Sequence, residues 1–128
     1  LIHVTKLALD KGIEAAKPGN TVGDIGYAIS QAVKGSKFSL AEDLAGHGVG
    51  HKVHEEPFIP NVGTPGTEED LVPGMVIAIE PMCNTGGPEI KLMKDGYTIV
   101  TKDGSRSAHF EHTIAITEKG NIVLTQDE

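Results

Sequence analysis

Along the first third of the chain, apolar positions recur at helical spacing. Over residues 1–17, Ile2, Leu9, Ile13 and Ala16 fall on one face, which predicts a helix. Pro18-Gly19-Asn20 ends it. Thr21 then has the character of an N-cap, with Asp24 three residues on as a capping-box partner. Val22, Ile25, Ile29 and Val33 make the stripe of a second helix ending near Gly35. The chain therefore opens as a helical hairpin.

Beyond that point the period changes. Residues 38–60 are glycine-rich and lack helical periodicity, and Asn61 to Gly74 reads as a loop. Met75 to Glu80 is a short apolar run ending in Glu-Pro, which suits a buried strand. Glu89 to Met93 alternates, turns at Lys94-Asp95-Gly96 and resumes from Tyr97 to Thr101, the pattern of a hairpin. His109 to Thr117 predicts one long strand, and Ile122 to Thr125 a last one after the turn at Glu118-Lys119-Gly120-Asn121. Two helices followed by a mainly antiparallel sheet is an α+β layout.

Composition narrows the function classes. The 128 residues fit one domain with one core, and 38% hydrophobic against 23% charged residues is a globular balance. A net charge of −7 without a Lys/Arg run argues against a nucleic-acid partner. No apolar run approaches the roughly 18 residues of a membrane span, which argues against a membrane partner. The single cysteine, Cys83, rules out an intramolecular disulfide and is compatible with a reducing, cytoplasmic setting. The first residue is Leu1 rather than Met, so the N-terminus reads as processed, truncated or cut from a longer protein.

Three segments place polar side chains where a partner or a task is required. In Gly46-His47-Gly48-Val49-Gly50 the glycines allow close approach to an imidazole that is either a ligand or a loop histidine. The segment is neither a dinucleotide fingerprint nor a phosphate loop, since its spacing is GxGxG and no Gly-Lys-Ser/Thr follows. His54, before Glu55-Glu56-Pro57, has the alternative of a solvated acidic turn, and Phe58 excludes the HExxH zinc helix. Glu80 ends an apolar strand, where a carboxylate needs a cation or several donors, unless it reaches solvent. Glu111 lies within a predicted strand, and alternation turns it the same way as His109 and Thr113. His112 reads as a hydrogen-bonded core histidine and Cys83 as an unreactive small residue. One histidine and two glutamates are the ingredients of a divalent-metal site, but a tight two-metal centre needs more carboxylates than these.

These segments, with Val53-His54-Glu55-Glu56-Pro57, Ile79-Glu80-Pro81-Met82, Lys94-Asp95-Gly96-Tyr97-Thr98 and Ser107-Ala108-His109-Phe110-Glu111-His112-Thr113, resemble the type I methionine aminopeptidases of the pita-bread metallopeptidase group, in order and spacing across nearly the whole chain. The resemblance implies half of a pita-bread fold, with two N-terminal helices on a curved, mainly antiparallel sheet. It implies that His47, Glu80 and Glu111 are metal ligands, Glu111 bridging two divalent ions (Co, Mn, Fe or Zn). His54 would contact the scissile amide and stabilise the tetrahedral intermediate. Glu80 would also handle the proton of the attacking water, and Tyr97 would stand near the substrate pocket. His109 occupies a position where many members have glutamine, and no role attaches to it. The implied activity is metal-dependent removal of N-terminal methionine from nascent peptides.

The departure from that family is the lack of its two aspartate ligands, which belong to an N-terminal half. None of the aspartates here stands in a matching strand. The resemblance thus identifies residues 1–128 as the C-terminal half of a methionine aminopeptidase catalytic domain, whose partner is the missing N-terminal half. Its active-site face would be uncovered, with strand residues around Ile77, Ile79, Ile114 and Ile116 as candidates to border that surface, alternation turning some of them to the helices instead. The rival readings are a non-catalytic pita-bread binding module and a half-enzyme subunit needing a separate N-terminal chain. Taken alone, the chain is expected to have little or no activity and weak metal affinity.

Overall fold

In the computed structural model, which describes residues 1–127, helix α1 (Ile2–Ala15) and helix α2 (Val22–Val33) pack against each other as expected. The buried face of α1 carries Thr5, Ala8, Leu9 and Gly12, whereas Ile2 lies off it and is 67% exposed, contrary to the expected stripe. Small residues dominate this face because the helix is wedged closely. A Cβ on Gly12 would stand 2.9 Å from Ile29 Cγ1 and 3.2 Å from Ile79 Cγ2. The end of α1 is held from a distance: Asn121 Nδ2 donates to the carbonyl of Ile13 (2.7 Å), which also accepts from Ala16 N–H (3.1 Å), and to the carbonyl of Ala16 (2.8 Å). Helix α2 starts on the capping box, with Asp24 N–H donating to Thr21 Oγ1 (3.3 Å) and Thr21 N–H to Asp24 Oδ2 (2.7 Å).

Ten strands follow: β1 (Ser39–Leu40), β2 (Ala45–Gly48), β3 (Glu55–Pro60), β4 (Val76–Ile79), β5 (Met82–Asn84), β6 (Ile90–Leu92), β7 (Ile99–Thr101), β8 (Ser107–His109), β9 (His112–Thr117) and β10 (Gly120–Val123). The main sheet runs β10-β9-β4-β2-β3, with every neighbouring pair antiparallel. A smaller antiparallel sheet runs β1-β5-β8, and β6 pairs with β7 as the predicted hairpin. The α+β class follows directly.

The strand expected over His109 to Thr117 is two strands in two sheets, broken at Phe110-Glu111. The chain breaks in the same way at Glu80-Pro81, between β4 and β5. Pro81 has no N–H to give a ladder, so regular pairing stops there. The two breaks lie side by side, and the ribbon formed by β4-β5 and β8-β9 passes from the large sheet into the small one.

The core lies between the helices and the large sheet. Leu9, Ile25, Ile29, Ile59, Ile77, Ile79, Ile114 and Ile116 form it, each 2% exposed or less. All four of Ile77, Ile79, Ile114 and Ile116, rather than some of them, thus face the helices, and none borders the open surface. Alternation sends those four toward the helices and Val76, Ala78, Thr113 and Ala115 to the opposite face. That far face carries Phe58, 70% exposed, opposite His47 in the β2-β3 pairing, and Ile122, 56% exposed, opposite Ala115 in the β9-β10 pairing.

Candidate metal centre

His47 projects from β2 on the face turned away from the helices, level with Phe58 on β3 and Ala78 on β4. The glycine before it is required by space: a Cβ on Gly46 would collide with the Ala78 carbonyl and crowd Ile59 Cβ at 3.1 Å. His47 is 8% exposed. Its Nδ1 lies 2.9 Å from the Gly48 carbonyl, which can only accept, so Nδ1 carries the proton and Nε2 presents its lone pair.

Glu80 and Glu111 come to that lone pair from the two strand breaks. Register is unchanged across the breaks, since Ile79 partners His112 on one side and Met82 partners His109 on the other. Glu80 therefore stands opposite Glu111. Phe110 N–H donates to the Pro81 carbonyl (3.3 Å), which keeps the ribbon closed there. Asn61, itself 4% exposed, donates through Nδ2 to the Glu80 carbonyl (3.2 Å) and fixes the backbone at the break. Glu80 Oε1 lies 3.2 Å from His47 Nε2.

His47, Glu80 and Glu111 each offer one ligand atom, all within 4.8 Å of one another. Two carboxylates and an imidazole lone pair facing one point repel unless a cation lies among them. The donor set, one nitrogen and two carboxylates, fits a divalent transition ion. No other such group of His, Cys, Asp and Glu occurs among the described residues.

His54 precedes β3 and is exposed, its ring centroid 4.1 Å from that of His47 and tilted by 56°. With His47, Glu80 and His109 it lines a cleft of about 1060 Å³, to which the β6-β7 hairpin contributes Ile90, Met93 and Ile99. A second hollow of about 840 Å³ shares the two histidines and is lined by Leu40, Leu44, Phe58 and Val62. Tyr97 does not line the cleft. It sits on the hairpin turn, 80% exposed. Asp95 organises that turn by accepting from Tyr97 N–H (3.1 Å), Thr98 N–H (2.9 Å) and the Thr98 hydroxyl.

Sequence reasoning assigned nothing to His109, yet its Nε2 lies 3.1 Å from Glu80 Oε2. The hydrogen bond to Glu80 raises its pKa above the ordinary imidazole value, against the opposing effect of partial burial, with the charges of Glu80 and Glu111 adding. The signal was its place two residues before Glu111, on the same side of the ribbon. His112 faces the other way, and its Nδ1 pairs with Thr125 Oγ1 at 2.8 Å. Cys83 is buried and free.

Residues 1–118 match the model of metallopeptidase family M24. Methionine aminopeptidase 1 of Bacillus subtilis is 48% identical over 126 residues, covering 98% of this chain and 51% of that protein. Methionine aminopeptidase A of Synechocystis is 49% identical, covering 100% and 51%. The crystal structure of methionine aminopeptidase from Thermotoga maritima superposes with a TM-score of 0.95 at 49% identity, covering 99% of this chain and 51% of that one. The prolidase from Pyrococcus furiosus is more distant, with a TM-score of 0.69 at 29% identity, covering 99% of this chain and 32% of its own. The fold is that of the pita-bread metallopeptidases, and the chain spans about half the length of the curated relatives it matches. With its match over residues 1–118, this chain belongs to metallopeptidase family M24.

Proposed function

We propose that this chain is the C-terminal half of a methionine aminopeptidase catalytic domain and supplies His47, Glu80 and Glu111 to a centre that removes N-terminal methionine from nascent peptides in the cytoplasm. The observation that carries this reading is the convergence of the His47 Nε2 lone pair and two carboxylates on one point of the sheet face left open by the helices. The missing N-terminal half would cover that face and complete the ligand set.

Two divalent ions of the Mn, Fe, Co or Zn class suit these donors and, when bound, polarise a scissile carbonyl and acidify the attacking water. The chain's own residues do the rest. Glu80, held at the strand break, takes the proton from the attacking water. His54 stands at the cleft edge beside His47, where its imidazole can donate to the scissile amide and to the tetrahedral intermediate. The cleft wall of Ile90, Met93 and Ile99 offers apolar contact to the peptide.

The test is release of free methionine from Met-Ala-Ser in the presence of Co²⁺. The chain alone should stay below the ordinary enzyme range of roughly 1–1,000 per second. Adding a separately expressed N-terminal half of the Bacillus subtilis relative should produce turnover, and His47→Ala or Glu80→Ala should abolish it. Turnover in the ordinary range by the chain alone would refute the half-site reading. Turnover by the combined halves that survives Glu80→Ala would refute the assigned centre.

A further inference from the structure

Glu80 has an imidazole nitrogen beside each of its oxygens. Oε1 meets His47 Nε2 at 3.2 Å and Oε2 meets His109 Nε2 at 3.1 Å. We propose that His109 is a positioning residue for Glu80, donating from Nε2 to Oε2 and so fixing the rotamer that turns Oε1 toward His47 and Glu111. This rests on the reading of His47, Glu80 and Glu111 as metal ligands.

The contact is built into the ribbon. Glu80 stands opposite Glu111, and His109 is two residues before Glu111, opposite Met82. Glu80 and His109 are thus a diagonal cross-strand pair on one face, a separation that a glutamate and an imidazole can span. Glu80 is a long side chain whose terminal torsion is broad and roughly two-fold, so without a tether its oxygens can turn away from the site. Its side chain is 13% exposed, which leaves little water to compete for Oε2. His109 is 45% exposed at its side chain and faces the cleft, so its removal leaves the core intact. Nothing on the main chain duplicates it: Asn61 holds the Glu80 carbonyl, not the carboxylate. A ligand carboxylate with its spare oxygen hydrogen-bonded is oriented before an ion arrives, the general task of groups behind the ligands.

Two measurements on the whole chain test this. The first needs no metal. In long-range ¹H–¹⁵N spectra of the chain in EDTA, His109 Nε2 should carry its proton, and Glu80→Gln should move its resonances. Resonances of His109 that are indifferent to Glu80→Gln would overturn the proposal. The second is Co²⁺ titration by calorimetry. His109→Ala should weaken binding roughly tenfold, while His109→Gln, which restores an N–H donor of similar reach, should stay within about twofold of the parent. Equal affinity in His109→Ala and the parent would also overturn it. A parent chain that takes up no Co²⁺ would count against the ligand reading instead, and the metal-free spectra would then decide whether His109 holds Glu80.

Discussion

Glu80 and Glu111 face each other across an antiparallel ribbon whose register is the same on both sides of them, Ile79 against His112 and Met82 against His109. Two carboxylates directly opposite on paired strands are destabilising. The fold keeps them there by breaking both strands at the same level and passing the ribbon from one sheet to the other. The arrangement should cost stability in the metal-free chain and become favourable when a cation lies between the strands.

That balance has a measurable sign. In EDTA and low salt, Glu111→Gln should stabilise the chain by about 0.2–1 kcal/mol in urea unfolding, because one of two like charges is removed. The gain should shrink in high salt, where exposed charges are screened. A loss of stability in EDTA would mean that Glu111 is held by favourable contacts and that the pair is not strained.

Metal should reverse the effect. Free Co²⁺ at about a hundredfold its dissociation constant should raise the unfolding free energy by about 2.7 kcal/mol through binding to the native state alone. EDTA should remove the whole increment, and Glu111→Gln should show little of it. Thermal melts with and without Co²⁺ provide the comparison, and an equal shift in the parent and the variant would place the ion elsewhere.

Much of this was legible in the sequence, for physical reasons that differ by element. The α2 boundaries follow from a local capping box at Thr21 and Asp24, and local chemistry is visible in a local pattern. The β6-β7 turn was likewise set by Lys94-Asp95-Gly96. The single strand predicted over His109 to Thr117 was wrong because nothing within that segment marks a break. Its cause lies on the partner strand, where Pro81 ends the ladder opposite Phe110. The buried face of α1 departs from the predicted stripe at Ile2 because close packing selects small residues, and Gly12 and Ala8 carry little hydrophobic signal of their own. The contact between His109 and Glu80 needed both register and rotamer, which a single segment does not encode.

Gly46 shows what the glycines flanking His47 are for. A Cβ there would run into the Ala78 carbonyl, so β2 could not lie against β4 at its present distance. Gly46→Ala should cost about 1–3 kcal/mol by overpacking and should weaken Co²⁺ binding as His47 moves with the strand. Urea unfolding and calorimetry on the same variant would check the two effects together. A variant with parental stability would show that the strand shifts freely.

Asn121 ties the last strand to the first helix. Its Nδ2 donates to Ile13 and Ala16 carbonyls at 2.7 and 2.8 Å, at the end of α1. Asn121→Ala leaves the Ala16 carbonyl short of its donor, while the Ile13 carbonyl keeps Ala16 N–H, and should cost about 1–3 kcal/mol. Asn121→Asp should be worse, since a carboxylate would replace the donor beside the negative end of the helix dipole. Asn121→Asp at least as stable as Asn121→Ala in urea at neutral pH would show that the side chain does not cap α1.

Cys83 gives the pH dependence. It is fully buried on β5, and burial raises its pKa above the ordinary thiol value, only partly offset by the Thr5 hydroxyl and the N-terminal charge. A raised pKa means that the folded chain keeps a proton which the unfolded chain releases as pH climbs through the thiol range. By linkage, stability should then fall with rising pH above the unfolded thiol value, with no contribution from this group below it. Cys83→Ser should flatten that alkaline decline and lower stability at neutral pH by placing a hydroxyl in the core. The native thiol should also react slowly with a disulfide reagent at pH 8, because the thiolate is the nucleophile and is scarce there. Its rate should rise sharply once urea unfolds the chain. Rapid labelling of the native protein would mean that β5 opens far more readily than its burial implies.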